Sequence, residues 1–288
     1  MPEGTTTSFT VTRTNGTFVG EVEGIDLAKP MDSGLAADIR KAWLDHSILV
    51  FRGQAALTDE QHIAFSRHFS QLHVHNVNDW LMPGHPEILV LSSIGRGGVK
   101  PLKDGGAYWH SDCTYEAQPP MGSVLHGIIM PPTGGDTLYA DMYAAYDALD
   151  ADTRERIDGL TGIHCYKERY VKMAEQGARH PPTEEQLTSW TEVEHPLVRV
   201  HEETGHKALY VNEGFTTGIK ELPADEARAL LERLFDHSTE ERFIYAHKWQ
   251  DGDVVMWDNR CTMHRATTYD ISHERTMHRV TLLAGAAA

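Results

Sequence analysis

Apolar and polar positions change rhythm several times along the chain, and each change marks an element. Ser8–Leu27, SFTVTRTNGTFVGEVEGIDL, alternates weakly around Asn15-Gly16, which predicts a β-hairpin. Leu35–His46 shifts to helical spacing and runs into a continuous apolar stretch, Ser47–Gly53, the pattern of a buried strand. Thr58–Leu72 is helical again, with Thr58 and Gln61 placed as a capping box at its start. Short β-like runs follow at Glu87–Ser93, Gly122–Met130 and Asp136–Asp141, and helical pattern returns over Met142–Leu160. Lys172–Glu194, polar and containing HPPTEEQ, predicts a surface excursion suited to a lid. Beyond it lie strand patterns at Leu197–His201 and Ala208–Phe215, a helix at Pro223–Ser238, and strands at Asp253–Asn259 and Arg275–Gly285.

Many short strands with helices at the N-terminal side and in insertions predict a mainly β, α+β protein. An antiparallel barrel or jelly roll suits this order better than regular βαβ winding. No repeat, low-complexity tract or Gly/Ser/Pro linker divides the chain, so residues 1–288 read as one domain. That length can bury a full core. The formal charge of −16 argues against nucleic acid and anionic membranes as partners, while leaving room for a local positive pocket. No apolar run approaches the ~20 residues that span a bilayer, and no signal-peptide pattern opens the chain. Cys113, Cys165 and Cys261 are odd in number and scattered, which implies no disulfide framework and fits a reducing cytoplasm. Asn15-Gly16-Thr17 matches a glycosylation sequon but reads as the hairpin turn.

The chemistry begins at YWHSDCTY, Tyr108–Tyr115. In an extended segment residues i and i+2 point the same way, so His110 and Asp112 can reach one metal ion while Ser111 points elsewhere. With eighteen histidines in the chain, one such pair is expected by chance. A third ligand must therefore come from far away, and His264, in WDNRCTMHR after an apolar strand, offers one. Two histidines and one carboxylate on one face of a ferrous ion leave positions open for substrate and O₂. If Arg275–Leu283 is a strand, Arg275, Met277, Arg279 and Thr281 share a face, with the two guanidinium stems about 13 Å apart. Two inward arginines are costly unless anions meet them.

Together WHSD, GGDTLYAD, WDNRCTMHR and RTMHRVTLLAG resemble, in order and spacing, the taurine dioxygenase/TfdA family of Fe(II)- and 2-oxoglutarate-dependent dioxygenases. HSILVFRGQ, FSQLHVH and LYVNEGFTTGI extend the resemblance over nearly the whole chain. The eleven-residue gap from His264 to Arg275 and the twenty-seven from His110 to Thr137 also match the family's. The resemblance implies a double-stranded β-helix core, with His110, Asp112 and His264 as iron ligands. It implies that Thr137 and Arg275 clamp the distal carboxylate of 2-oxoglutarate, a task suited to arginine's planar fork. It implies, too, hydroxylation beside a heteroatom with succinate and CO₂ released and C–S or C–O cleavage following, and a homo-oligomer, dimer or tetramer.

By the same resemblance Arg279 and His75 meet the anionic head of a small organic substrate, and Tyr170 and Phe215 line its pocket. Where taurine-specific members hold polar residues for an amine, this chain offers Asn78, Gly105 and Gly106, and glycines have no side-chain acceptor. The expected substrate is an organosulfonate, alkyl sulfate or aryloxy-carboxylate rather than taurine. His73-Val74-His75 mimics a zinc pair, but no third ligand stands near it in sequence. Two other classes use the same residues: a non-catalytic anion-binding β-barrel protein, and a zinc hydrolase built on the His/Asp/His set. Neither explains Thr137 and Arg275 at their spacings.

Overall fold

Four consecutive apolar residues, Ile48–Phe51, form a strand buried on both faces, and that fact organises the molecule. The structure is a computed structural model describing residues 9–14, 17–75, 78–95, 99, 101–102, 106–177 and 179–285. The Asn15-Gly16 turn and Gly105 lie outside the described residues, as does the side chain of Asn78.

In chain order the elements are β1 (Thr10–Arg13), β2 (Val19–Glu23), α1 (Ser33–His46), β3 (Ile48–Phe51), α2 (Asp59–Arg67), β4 (Leu81–Met82) and β5 (His85–Ser92). There follow β6 (Gly122–Ile129), β7 (Thr137–Asp141), α3 (Met142–Asp147), α4 (Ala151–Ile157), β8 (Thr161–His164), α5 (Lys167–Glu175) and α6 (Glu184–Ser189). Then come β9 (Val193–Pro196), β10 (Val198–Val200), β11 (Lys207–Leu209), β12 (Thr216–Ile219) and α7 (Ala224–Ser238). Last are β13 (Ile244–His247), β14 (Val254–Asp258), β15 (Thr262–Ala266) and β16 (Thr276–Leu282).

The main sheet has eight strands in the order β1-β2-β3-β14-β6-β16-β5-β4, open at both edges. A three-stranded sheet, β13-β7-β15, packs against its inner face. Alternation explains why the central strands are apolar throughout. Ile48, Val50, Val255 and Trp257 point inward against Tyr139 of β7, while Leu49, Phe51, Val254 and Met256 point outward. The outward set packs on Ile39 and Trp43 of α1 and Phe65 of α2. A further core, around α3, α7 and β11, supports the far side of the small sheet. Of the strand predicted over Arg275–Leu283, Thr276–Leu282 forms, and Arg275 stands just before it. A register shift between Thr276 and Met277 breaks the predicted alternation there, while beyond it Met277 faces the inner core and His278 reaches out to Asp59 of α2 at 2.7 Å.

Three expectations change in detail. The helix predicted to run to Leu72 stops at Arg67, because Leu72 instead bridges to Leu282 and His73 N–H donates to the Thr281 carbonyl. The helical pattern over 142–160 is two helices, split where the Asp150 carboxylate accepts from the Thr153 amide at 2.7 Å and caps the second. The polar excursion holds the end of α5, all of α6 and the start of β9, and no α6 side chain is buried. The predicted capping box is present: Thr58 Oγ1 accepts from Gln61 N at 3.3 Å and Gln61 Oε1 from Thr58 N at 2.9 Å. Thr58→Ala is expected to cost about 1 kcal/mol, read as a lower denaturant midpoint at unchanged slope.

Candidate metal centre

Strand pairing, which no local pattern announces, brings the distant residues together. β15 pairs with β7 along one edge, placing His264 opposite Tyr139. Its other edge receives His110 in an isolated antiparallel bridge, His110 N donating to the His264 carbonyl at 3.0 Å and His264 N to that of His110 at 2.7 Å. The two imidazoles therefore stand side by side, ring centroids 4.2 Å apart. After His110 the chain turns through Cys113, whose φ of 51° is unusual for a residue other than glycine. This turn presents Asp112 to both rings: its Oδ1 lies 3.9 Å from each Nε2. One ligand atom from each residue falls within 4.8 Å of the others, and all three side chains are buried.

The main sheet fixes the carboxylate from the opposite side. Ser123 Oγ of β6 donates to Oδ2 at 2.9 Å, and Arg279 of β16 donates to Oδ1 at 2.7 Å. Burial acts to raise the Asp112 carboxyl, but the Arg279 guanidinium and the two imidazoles outweigh it and hold the group below the usual carboxylate range. Burial, then the neighbouring His110, pushes His264 well below the imidazole range, so it stays neutral. His110 Nδ1 lies 2.8 Å from the Tyr108 carbonyl, which places its proton there and leaves Nε2 as a lone-pair donor. Two imidazoles and one anionic carboxylate converge, a donor set that fits ferrous iron. Glycine is required beside it: a Cβ on Gly106, at φ +79°, would lie 2.8 Å from His110 Cε1.

Thr137 and Arg275 come to one end of β7. The Trp249 indole donates to Thr137 Oγ1 at 2.9 Å, leaving the hydroxyl proton of Thr137 available. Arg275 Nε donates to the Gly135 carbonyl at 3.2 Å, two residues before Thr137. Arg275 is only 8% exposed and forms no salt bridge among the described residues. Burial accordingly lowers its affinity for a proton. A buried, uncompensated guanidinium beside a free hydroxyl fits an anionic ligand.

His75 Nε2 lies 3.1 Å from Thr281 Oγ1 and 3.5 Å from an Arg279 nitrogen, joining it to the Asp112 network, and Arg279 Nε is buried without a partner among the described residues. Phe215 stands edge-on to the His110 ring at 6.0 Å. Tyr170 is farther off. It packs on Tyr166 and Trp190, at 5.8 and 4.7 Å, and Tyr166 in turn lies 5.9 Å from Phe215. Tyr115 also belongs to this chain of rings, 4.8 Å from Phe215. Sequence reasoning missed Tyr115, Tyr166 and Trp190; the i, i+4 spacing of Tyr166 and Tyr170 was the one usable signal. It also missed Ser123, which in isolation is an ordinary strand serine.

Two further groups of potential ligands occur among the described residues, His73–His75–Cys113 and His201–Asp258–Cys261. The second is closed, since Arg260 donates twice to Asp258, at 2.8 and 2.6 Å, and His201 Nε2 lies 3.0 Å from it. Two surface clefts, about 360 and 540 Å³, lie elsewhere and are lined by none of the residues of the iron-type cluster.

With this geometry the chain has the make-up of a mononuclear metal enzyme that also binds an anion. It belongs to the family described as taurine catabolism dioxygenase TauD, TfdA family, whose sequence profile matches residues 10–281. It is accordingly an Fe(II)- and 2-oxoglutarate-dependent dioxygenase that consumes O₂, and neither the binding-protein nor the zinc-hydrolase alternative holds. It is 34% identical over 277 residues to the alpha-ketoglutarate-dependent 2,4-dichlorophenoxyacetate dioxygenase of Cupriavidus pinatubonensis, covering 92% of this chain and 94% of that one. A second relative is the (S)-phenoxypropionate/alpha-ketoglutarate-dioxygenase of Sphingobium herbicidovorans, 34% identical with 94% and 93% covered. The crystal structure of AAD-2 in complex with Mn(II) and N-oxalylglycine superposes with a TM-score of 0.81 at 33% identity, over 98% of this chain and 100% of that one. No helix among the described residues is long and apolar enough to cross a membrane.

Proposed function

We propose that His110, Asp112 and His264 hold the iron, that Thr137 and Arg275 hold the distal carboxylate of 2-oxoglutarate, and that the substrate is an aryloxy-carboxylate. Organosulfonates and alkyl sulfates are the next classes. The carrying observation is the Phe215 ring set edge-on against His110, with Tyr115 and Tyr166 continuing the apolar surface. Such a wall suits an aryl ring, which prefers edge-to-face and offset contacts. The named activities of the two relatives, on 2,4-dichlorophenoxyacetate and (S)-phenoxypropionate, support the same class.

When bound, iron with 2-oxoglutarate and O₂ supplies the oxidising power for hydroxylation, with succinate and CO₂ released. The protein's part is placement. Asp112 stays anionic through Arg279, and the Tyr108 carbonyl holds the His110 proton on Nδ1, turning that ring's Nε2 lone pair inward. Thr137 donates to the keto acid's far carboxylate and Arg275 neutralises it; N-oxalylglycine, which shares that carboxylate, occupies the AAD-2 complex. Arg279 and His75 orient the substrate's anionic group. Phe215 aims the carbon next to the ether oxygen, whose hydroxylation gives a hemiacetal that breaks to a phenol and a 2-oxo acid. Tyr170, at the outer end of the rings, and the 172–194 segment form a lid: Arg179 stacks on Trp80 at 4.7 Å, tying this segment to the opposite loop. The two facing sheets are the double-stranded β-helix of one domain over residues 1–288, working as a cytoplasmic homo-oligomer.

A panel of phenoxyacetates, alkyl sulfates, alkyl sulfonates and taurine tests the substrate class by succinate release and by phenol or sulfite formation. Phenoxyacetates are expected to turn over fastest. Tight, efficient use of taurine with phenoxyacetates ignored would reject it.

A further inference from the structure

The pair His73-Val74-His75 lacks a third ligand in sequence, but the fold provides one. Cys113 enters from the turn after Asp112, and one ligand atom from each of His73, His75 and Cys113 lies within 4.8 Å of the others. The two imidazoles are 4.4 Å apart, and the His73 Nδ1 atom is buried without a hydrogen-bond partner among the described residues. Both histidines are tied to one residue of β16: His73 N donates to the Thr281 carbonyl at 2.9 Å, and His75 Nε2 lies 3.1 Å from Thr281 Oγ1. Cys113 is held in its positive-φ conformation by a turn in which Glu116 N donates to its carbonyl at 2.9 Å.

We propose that His73, His75 and Cys113 form a second metal site for a borderline divalent cation such as Zn²⁺, and that filling it inhibits turnover. Two nitrogens and one sulfur, with water in the fourth position, match tetrahedral zinc, and the thiol loses its proton to solvent as the metal–sulfur bond forms. The ferrous site beside it has no sulfur, so the two sites sort cations by softness. Inhibition follows from position. His75 is the neighbour of Arg279, and Cys113 is next to Asp112, so a cation here takes His75 from the substrate end of the pocket. The cation site stands on this geometry alone; its inhibitory effect rests on the activity proposed above.

Anaerobic titration of the reduced full-length protein with Co²⁺ separates the two sites, because only a cysteine ligand gives an intense near-ultraviolet sulfur-to-cobalt band. Two equivalents are expected to bind, with that band present. It should vanish in Cys113→Ser, need at least ~10-fold more Co²⁺ in His73→Ala, and persist at one equivalent in His110→Ala. No sulfur band, a band surviving in Cys113→Ser, or one lost in His110→Ala overturns the site. Should Cys113→Ser not fold, His73→Ala decides, an unchanged titration overturning it. Added Zn²⁺ should slow the iron-loaded enzyme, and His73→Ala, measured against its own zinc-free rate, should be at least ~10-fold less sensitive. Equal sensitivity overturns the inhibitory role. Absence of turnover with every acid tested leaves the cobalt result to stand alone.

Discussion

His110→Ala and Asp112→Ala are each expected to lower substrate-dependent succinate release, under saturating iron and ascorbate, by at least ~100-fold. Changes one shell outside a metal typically cost 10- to 100-fold in affinity or activity, and loss of a direct ligand exceeds that. The pair of variants separates the metal from the fold. Asp112→Ala strands the Arg279 guanidinium, whose Nε already has no partner among the described residues. Breaking a buried ion pair in this way costs about 3–5 kcal/mol, so this variant should also melt earlier. His110→Ala leaves the Asp112–Arg279 contact in place and should lose iron binding, by equilibrium dialysis, with a far smaller change in melting temperature. Undiminished turnover in either variant ends the ligand assignment.

Arg275→Met should raise the KM for 2-oxoglutarate while leaving iron binding intact. Removing one partner of a buried, hydrogen-bonded charge pair costs ~2–5 kcal/mol, or ~30- to 5000-fold. Methionine keeps much of the stem that lies against Gly135, so the loss is mainly of charge. Arg275→Lys should fall between, since an ammonium neutralises a carboxylate but cannot pair both oxygens. A KM for 2-oxoglutarate unchanged in Arg275→Met would assign that carboxylate to other residues.

How far the molecule could be read beforehand follows from where each signal resides. Capping at Thr58 and Gln61 and the apolar strands at Ile48–Phe51 and Val254–Trp257 are local and appear as expected, whereas Arg275 falls outside β16, whose alternation holds only from Met277 on. The convergence of His110 with His264 is a pairing across more than 150 residues. It was reached through coincident motif spacing and a family resemblance, not through periodicity. Asp112 required a turn at Cys113 rather than the extended strand assumed, because Ser111 turns its hydroxyl to the Thr262 carbonyl at 2.7 Å and anchors the corner. The zinc-like pair at His73 and His75 was set aside for want of a neighbour in sequence; proximity through the turn after Asp112 was invisible there. Aromatic residues such as Tyr115 and Trp190 carry no sign of which surface they line until the chain is folded.

The order of strands in the main sheet bears on how the polypeptide emerges from the ribosome. β3 is made early, yet its inner neighbour is β14, and β6 lies between β14 and β16. A nascent chain that has reached Asp253 therefore exposes the flanks of two hydrophobic strands and lacks both His264 and Arg279. With the ligand set proposed above, capture of iron awaits the C-terminal strands, so a stalled or truncated product would be an adhesive fragment with no means of generating oxidant.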